Sequence, residues 1–260
     1  MDYETLSVSR HGHAALIEFN RPEALNALST QMAKELVMLL EELSLTTDVW
    51  AVALTASGDR AFCVGADLKE RKSMNTEEMR RQRELFVKAF QAVATFPKPI
   101  IAAVNGYAMG GGFEFALCCD FIICSDNAKF ALPEVGLAII PGGGGTQNLP
   151  RVIGKNKAKE LIFTGRRIDA GEAERLGIVN HVTSLSELTD KALALLDEIT
   201  KNGPVALKQA KKSVNLGVEM DLNTAFQLEA ECYQMCLTTQ DRDEGLKAFN
   251  EKRKPVYKGY

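Results

Sequence analysis

The sequence is poor in the side chains that most hydrolases and metalloenzymes use. It has only three histidines among 260 residues, namely His11, His13 and His181. Its six cysteines include no Cys-x-x-Cys pair, so a zinc site with the usual ligand spacing is not expected. The motifs GxSxG and HExxH are absent as well. We therefore expect no bound metal, and neither serine hydrolase nor zinc hydrolase chemistry.

Excess positive charge and long apolar runs are also missing. The formal net charge is −3 at pH 7, which argues against a broadly basic surface for nucleic acid. No uncharged apolar run reaches the roughly 20 residues of a membrane-spanning helix, and the segment Met1–Glu4 does not resemble a signal peptide. Cysteines without a disulfide pattern indicate a reducing compartment. We expect a cytoplasmic protein with no membrane partner.

Nucleotide-binding fingerprints are absent too, whereas strand and helix patterns alternate along the first half of the chain. Neither GxGxxG nor a Walker A motif occurs. Val49–Thr55 and Ile100–Val104 are apolar segments typical of buried strands. Asn75 and Glu78 match a capping box, which predicts a helix start. From about residue 185 the pattern predicts only helices, over Leu188–Thr200, Pro204–Leu216, Leu222–Leu237 and Asp241–Asn250. This order predicts an α/β core with a C-terminal helical appendage.

Two glutamates stand out because glycine is concentrated around them. Nine of the twenty glycines lie between positions 106 and 145. A helix that begins at Gly110–Gly112 presents unpaired N–H groups to a neighbouring anion, and Glu114 follows in its first turn. Glu134 lies in the otherwise apolar segment 130–140, where desolvation raises the pKa of a carboxyl group. Acids beside exposed amides suggest an enzyme that acts next to a carbonyl.

Each of these features also has a purely structural interpretation. The glycines can serve only to let a strand and a helix pack closely. Glu114 can reflect the preference for negative charge at a helix start, and Glu134 can be a solvated turn residue. Taken one at a time, the features leave these alternatives open.

Several segments together resemble the crotonase family, also called the enoyl-CoA hydratase/isomerase family. They are Asn20–Leu28, Ala61–Leu68, Gly106–Glu114, Pro133–Glu134 with Ile140–Gln147, and the tail Glu244–Arg253. The resemblance covers essentially the whole chain. It implies an α/β fold: a crotonase-like spiral of repeated ββα units over residues 1–200, then a C-terminal helical trimerisation region over 201–260. It also implies a homo-oligomer, either a trimer or a dimer of trimers.

The resemblance assigns roles to four residues. The backbone amides of Ala66 and Gly111 match the oxyanion hole that binds the thioester oxygen of an acyl-CoA. Glu114 matches the residue that activates water, and Glu134 matches the residue that delivers a proton to the α-carbon. The implied reaction is reversible hydration of a 2-enoyl-CoA in fatty-acid or branched-chain amino-acid breakdown. Coenzyme A is then part of the substrate, and no separate nicotinamide or flavin cofactor is implied.

The resemblance also implies a wider set of contacts with the substrate and its CoA group. Phe249 and Lys252 match C-terminal positions that contact CoA from a neighbouring subunit. The complete expected set is Ala24, Ala66, Asp67, Leu68, Gly111, Phe249 and Lys252.

Finer similarity points to 3-methylglutaconyl-CoA hydratases of leucine degradation, whose substrate has a distal carboxylate. Several basic residues could meet that group, but the sequence does not show which of them faces the acyl chain. They are Arg71, Lys72, Arg80, Arg81 and Arg83. A short-chain enoyl-CoA is an equally good candidate substrate, and a Δ3,Δ2-enoyl-CoA isomerase of the same family is the main enzymatic rival.

Two alternatives come from other functional classes. Some methylglutaconyl-CoA hydratases also bind AU-rich RNA through a lysine-rich early helix. Here the corresponding stretch, Ser29–Thr47, contains Lys34 as its only cation beside several acids, so phosphate binding is not favoured. A non-catalytic assembly protein would have no need of two retained glutamates beside two oxyanion segments.

Overall fold

The structure is built on two β-sheets, and the computed structural model describes residues 3–260. The strands are β1 (Leu6–His11), β2 (Ala14–Phe19), β3 (Ala51–Ala56), β4 (Ala61–Cys63), β5 (Ile100–Val104), β6 (Tyr107–Met109), β7 (Phe121–Ser125), β8 (Lys129–Ala131), β9 (Ile168–Asp169) and β10 (His181–Thr183). The larger sheet has the order β1-β2-β3-β5-β7-β10, and the smaller sheet has the order β4-β6-β8-β9. Parallel pairs form most of both sheets, with antiparallel pairs at β1–β2 and β8–β9.

The helices cover the sheets and form the C-terminal part. They are α1 (Thr30–Leu45), α2 (Leu68–Arg71), α3 (Thr76–Ala94), α4 (Gly111–Cys118), α5 (Gly145–Ile153), α6 (Lys155–Thr164), α7 (Ala170–Arg175), α8 (Leu188–Thr200), α9 (Pro204–Gly217), α10 (Leu222–Leu237) and α11 (Gln240–Asn250). Short 3-10 turns lie at Pro22–Ala24, Glu134–Leu137 and Leu185–Glu187.

Successive chain segments repeat the same supersecondary unit. The pairs β3 and β4, β5 and β6, and β7 and β8 each place their first strand in the larger sheet and their second in the smaller one. Helices follow the first two pairs, and β5 adds parallel to β3 and β7 parallel to β5. This topology is the predicted spiral of ββα units, which the structure confirms.

Alternate side chains of a strand point to opposite sides of the sheet. In the larger sheet both sides are buried. In β5, Ala102 faces the main core, whereas Ile101 and Ala103 face a second apolar cluster. Helix α8 closes that second cluster with residues at helical spacing, such as Leu188 and Ala192. Helices α1 and α3 pack against each other over the opposite face.

The helix starts follow local hydrogen-bonding signals. The Ser29 side chain accepts a hydrogen bond from the Met32 amide at the start of α1. Asn75 and Glu78 form the predicted capping box at the start of α3. Helix α3 therefore begins where the capping box predicts, and it crosses towards the region that holds the two glutamates.

The last three helices bury few of their own side chains in the single chain. In α9 and α10 the fully buried residues are Pro204 and Cys232, whereas apolar side chains such as Val214, Phe226 and Tyr233 are exposed. The division at residue 200 and the trimerisation role stay predictions. None of the helices in the described part of the chain has the length and apolar character needed to cross a membrane.

A buried lysine ties the end of α1 to the start of β5, and its removal is the first testable prediction. Lys98 is 1% exposed, and its Nζ donates to the carbonyls of Leu43 and Thr46. Because Lys98→Met leaves these carbonyls without their donor, we expect a loss of about 1–3 kcal/mol of unfolding free energy. Urea denaturation at an unchanged m-value would measure it.

The matched control for Lys98 is Lys201→Met. Lys201 forms an exposed pair with Asp197, and such pairs contribute about 0–1 kcal/mol. Equal stability of the wild type and the Lys98 variant would contradict the structural role given to this lysine.

Candidate active site

One cavity of about 700 Å³ brings together most of the predicted site residues. Its walls come from the loop between β4 and α2, from α3, from the start of α4 and from the segment 133–143. The predicted residues that line it are Ala66, Leu68, Gly111, Glu114 and Glu134. Predicted residues as far apart in the sequence as Ala66 and Glu134 thus share one pocket.

Two backbone N–H groups in the cavity wall are available to a ligand. Gly111 begins α4, so its amide has no carbonyl one helical turn earlier. Around Ala66, the neighbouring groups are used: the Leu28 amide donates to Gly65 at 2.8 Å, and the Asp67 amide donates to Leu28 at 3.0 Å. The Ala66 and Gly111 amides take part in no backbone hydrogen bond within residues 3–260. They can therefore donate to an oxygen in the cavity.

Glycine is required where the two amide-bearing turns approach each other. Gly65 has φ of +87°, and Gly110 has φ of +53°, a conformation that glycine adopts without steric cost. A Cβ atom at Gly65 would lie 3.3 Å from the Gly111 nitrogen. A side chain there would crowd the amide that the site exposes.

Glu114 is buried, and two backbone amides orient its carboxylate. Its Oε1 accepts hydrogen bonds from the Gly143 amide at 2.6 Å and the Gly145 amide at 2.8 Å. Burial raises the pKa of Glu114 above its ordinary value, whereas these amides act in the opposite direction. The group is therefore a fixed carboxylate with increased basicity, as a general base requires.

The loop that holds Glu114 is rich in glycine for steric reasons. A Cβ atom at Gly145 would lie 3.0 Å from the Glu114 Oε1. A Cβ atom at Gly143 would overlap the ring of Phe90, which projects from α3. Side chains at these positions would displace the carboxylate or the loop.

Glu134 carries the second acid of the cavity, at the start of the 3-10 turn Glu134–Leu137. Its Oε2 is buried and has no hydrogen-bond partner among the described residues. Burial raises the pKa of Glu134 to about 7, and the negative charge of Glu114 adds to the rise. A Cβ atom at Gly110 would lie 2.9 Å from the Glu134 Oε1. Glu134 thus faces the amide-bearing turn as a carboxyl group that can hold a proton near neutral pH.

Some of the predicted contact residues lie outside the lining of the cavity. The side chain of Asp67 accepts from the Lys69 and Glu70 amides and pairs with Arg21 at 2.9 Å, so it stabilises the start of α2. The other three, Ala24, Phe249 and Lys252, do not line the cavity in the single chain. Their contact with CoA stays a prediction.

The structure adds wall residues that the sequence left unassigned. Arg71 and Arg83 line the cavity, whereas Lys72, Arg80 and Arg81 do not. Phe86 and Phe90 complete that wall. Since Arg83, Phe86 and Phe90 lie three and four positions apart on α3, helical spacing was a signal that could have placed them on one face.

No metal-like cluster appears in residues 3–260. Within that range, no group of three or more His, Cys, Asp or Glu side chains is arranged to hold an ion. The six cysteines are free thiols. The expectation that no metal takes part in the chemistry stays a prediction.

Comparison with known proteins assigns the chain to a family. The sequence profile of the enoyl-CoA hydratase/isomerase family matches residues 10–260, and the chain belongs to this family. It is 44% identical to a short-chain-enoyl-CoA hydratase of Clostridium acetobutylicum, over 98% of this chain and 97% of that protein. It is 43% identical to the mitochondrial methylglutaconyl-CoA hydratase of Mus musculus, over 94% of this chain and 79% of that protein.

Solved structures agree with this assignment. A crystal structure of enoyl-CoA hydratase from Bacillus anthracis superimposes with a TM-score of 0.97 at 44% identity, covering 99% of this chain and 100% of that chain. The predicted family and fold are thereby confirmed, and with them the expectation of an enzyme.

The contact between α4 and β4 gives a second testable prediction. A Cβ atom at Gly112 would overlap the Cys63 carbonyl, so Gly112→Ala should separate the helix from the strand and cost about 1–3 kcal/mol of stability. Thermal and urea unfolding would measure the loss.

Gly136→Ala is the matched control, because a Cβ atom there meets nothing within 4 Å. We expect its stability to stay within about 0.5 kcal/mol of the wild type. Destabilisation of both variants to the same extent would show that the close approach at Gly112 is not the cause.

Proposed function

We propose that the enzyme catalyses the reversible addition of water across the α,β-double bond of a 2-enoyl-CoA thioester. One observation carries the proposal: the two acids, Glu114 and Glu134, line the same cavity as the unpaired amides of Ala66 and Gly111. Hydration of a double bond next to a thioester needs a base, an acid and donors for a developing oxyanion.

The two amides would bind the thioester oxygen. As water attacks the β-carbon, electrons of the double bond move towards this oxygen, and an enolate develops. Donors that point at the oxygen beforehand stabilise the charge without reorganisation, and one such donor contributes about 3–4 kcal/mol in comparable sites. The main-chain N–H groups of Ala66 and Gly111 suit this role because the adjoining glycine turns hold them in the wall.

Each glutamate would carry out one of the two proton transfers. Glu114, ionised and oriented by the amides of Gly143 and Gly145, would take a proton from water while the water oxygen bonds to the β-carbon. Glu134, protonated near neutral pH, would give its proton to the α-carbon as the enolate collapses. Transfer of the proton from Glu114 to solvent and from solvent to Glu134 restores the starting state. The reverse sequence expels water.

An isomerase is the enzymatic rival, because moving a double bond also uses an oxyanion hole and proton transfer. Two acids in one cavity favour hydration, since a hydratase moves two protons between separate groups. Incubation with crotonyl-CoA and with a 3-enoyl-CoA distinguishes the reactions. Hydration removes the absorbance of the conjugated enoyl thioester, whereas isomerisation of the 3-enoyl substrate creates it.

The remaining expectations follow from the family. We propose a trimer or a dimer of trimers, because the C-terminal helices expose apolar side chains such as Phe226 and Tyr233. In such an assembly Phe249 and Lys252 would meet the CoA of a neighbouring subunit. Hydration of 3-methylglutaconyl-CoA in leucine breakdown stays a prediction, as do the cytoplasmic location and the absence of RNA binding.

Neutralising either acid tests the assigned roles. We expect Glu114→Gln and Glu134→Gln each to lower kcat for crotonyl-CoA hydration by at least about 100-fold, because each loses one proton-transfer step. Titration with an unreactive acyl-CoA should show that both variants still bind. The decrease in enoyl-thioester absorbance measures turnover.

Glu84→Gln, on an exposed part of α3, is the control and should retain full activity. Near-normal turnover of either active-site variant would remove that glutamate from the mechanism.

The raised pKa of Glu134 predicts the pH dependence of hydration. Its acid form is the active one, so kcat/KM should fall as pH rises through about 7. On the acidic side, kcat/KM should fall where Glu114 becomes protonated, at a pH above the ordinary glutamate value because burial raises its pKa. A pH–rate profile with crotonyl-CoA measures both limbs. A profile that stays flat between about pH 6 and pH 9 would contradict the acid role of Glu134.

A further inference from the structure

Two arginines project into the wall of the cavity that holds the acids. Arg71 ends α2, and Arg83 lies in the first half of α3. The Nε of Arg71 donates to Gln82 at 2.8 Å, and its guanidinium lies 5.4 Å from the centre of the Phe86 ring. The Nη2 of Arg83 donates to the Gly142 carbonyl at 2.5 Å. Each cation is therefore oriented by a hydrogen bond, Arg71 in a half-buried position and Arg83 in an exposed one.

Neighbouring side chains preorganise Arg71 in particular. Gln82 is buried, and its amide nitrogen donates to Thr30 at 2.9 Å and to Glu70 at 3.0 Å. With its nitrogen engaged in this way, its oxygen points towards Arg71. Contact with the face of Phe86 leaves the guanidinium edge free for hydrogen bonds.

Neither arginine forms a direct salt bridge with a carboxylate. Among the ion pairs of residues 3–260, none includes Arg71 or Arg83. The adjacent Glu70 uses its carboxylate on the Thr30 amide and on Gln82. Burial lowers the pKa of Arg71, and the positive charge of Arg83 lowers it further, whereas the negative charge of Glu70 acts in the opposite direction. The repulsion between two like charges in one wall is offset when an anion lies close to them, as Glu114 does for Arg83.

The chemistry of the site decides which end of the substrate these arginines meet, and this step rests on the proposed function. The thioester oxygen lies at the amides of Ala66 and Gly111, and the β-carbon lies where Glu114 delivers water. Atoms beyond the β-carbon therefore continue past Glu114. The Glu114 carboxylate accepts a hydrogen bond from the Gly143 amide, and Arg83 donates to the carbonyl of the preceding residue, Gly142. The CoA group leaves the thioester in the opposite direction.

We propose that Arg71 and Arg83 bind a carboxylate at the far end of the acyl chain, and that the preferred substrates are 2-enoyl-CoA thioesters carrying such a terminal carboxylate. A guanidinium presents parallel N–H donors that match the two oxygens of this group. The carboxylate supplies the ion-pair partner that neither arginine has among residues 3–260. Leu137 and Ile140 also line the cavity and offer apolar surface to the carbon chain.

A matched pair of substrates tests the proposal. Glutaconyl-CoA carries a terminal carboxylate, whereas 2-pentenoyl-CoA has the same carbon chain without it. We expect the wild type to favour glutaconyl-CoA by roughly 10- to 100-fold in kcat/KM, the range of one or two charge-assisted hydrogen bonds. In Arg71→Met this ratio should fall towards one, and Arg71→Lys should recover part of it.

Two further variants make the comparison sharper. Arg83→Gln should lower the same ratio, whereas Arg80→Gln, on the same helix but outside the cavity lining, should leave it at the wild-type value. An equal loss for both substrates in Arg71→Met would overturn the proposal, since it would place the arginine on the phosphates of CoA or in a purely structural role.

Failure of this inference is separable from failure of the proposed function. If the wild type hydrates 2-pentenoyl-CoA and glutaconyl-CoA with equal kcat/KM, the hydratase assignment stands and the carboxylate site is overturned. If neither substrate is hydrated, calorimetry with the saturated thioesters glutaryl-CoA and pentanoyl-CoA still decides. Tighter binding of glutaryl-CoA that is lost in Arg71→Met supports the site, and equal binding of the two thioesters overturns it.

Discussion

The site depends on the hydrogen bonds that two backbone amides, Gly143 and Gly145, donate to the buried carboxylate of Glu114. These bonds join the start of α4 to a loop about thirty residues later, and they oppose the rise in the pKa of Glu114 that burial causes. Two further contacts connect the same loop to α3: Arg83 donates a hydrogen bond to the Gly142 carbonyl, and Phe90 packs against Gly143. The base, the acyl-binding wall and the amide-bearing turn are thus parts of one packed unit.

Local signals in the sequence predicted the secondary structure well because its causes are local. The capping pair Asn75 and Glu78 and the final helices appear where the pattern placed them. Boundaries were less accurate. The predicted strand Val49–Thr55 is observed as Ala51–Ala56. Val49 and Trp50 are buried although they precede the strand, so an apolar pattern does not distinguish them from strand residues. The order of strands in two separate sheets came from the family resemblance and not from periodicity.

The candidate site was predictable in its members but not in its electrostatics. Glycine clustering marked Glu114 and Glu134, yet the pKa of about 7 at Glu134 depends on burial and on a charge twenty residues away in the sequence. Likewise, composition could not single out Arg71 and Arg83 from the neighbouring basic residues, because the choice depends on how α2 and α3 are rotated against the cavity. Such properties arise from tertiary packing and require coordinates.

Isotope incorporation during turnover tests the central claim most directly. With crotonyl-CoA in water enriched in both ¹⁸O and deuterium, mass spectrometry of the product should show one heavy oxygen on the β-carbon and one deuterium on the α-carbon. That pattern records attack by water at one carbon and proton delivery at the other. Deuterium exchange or a shifted double bond without any ¹⁸O in the product would contradict hydration by this pair of glutamates.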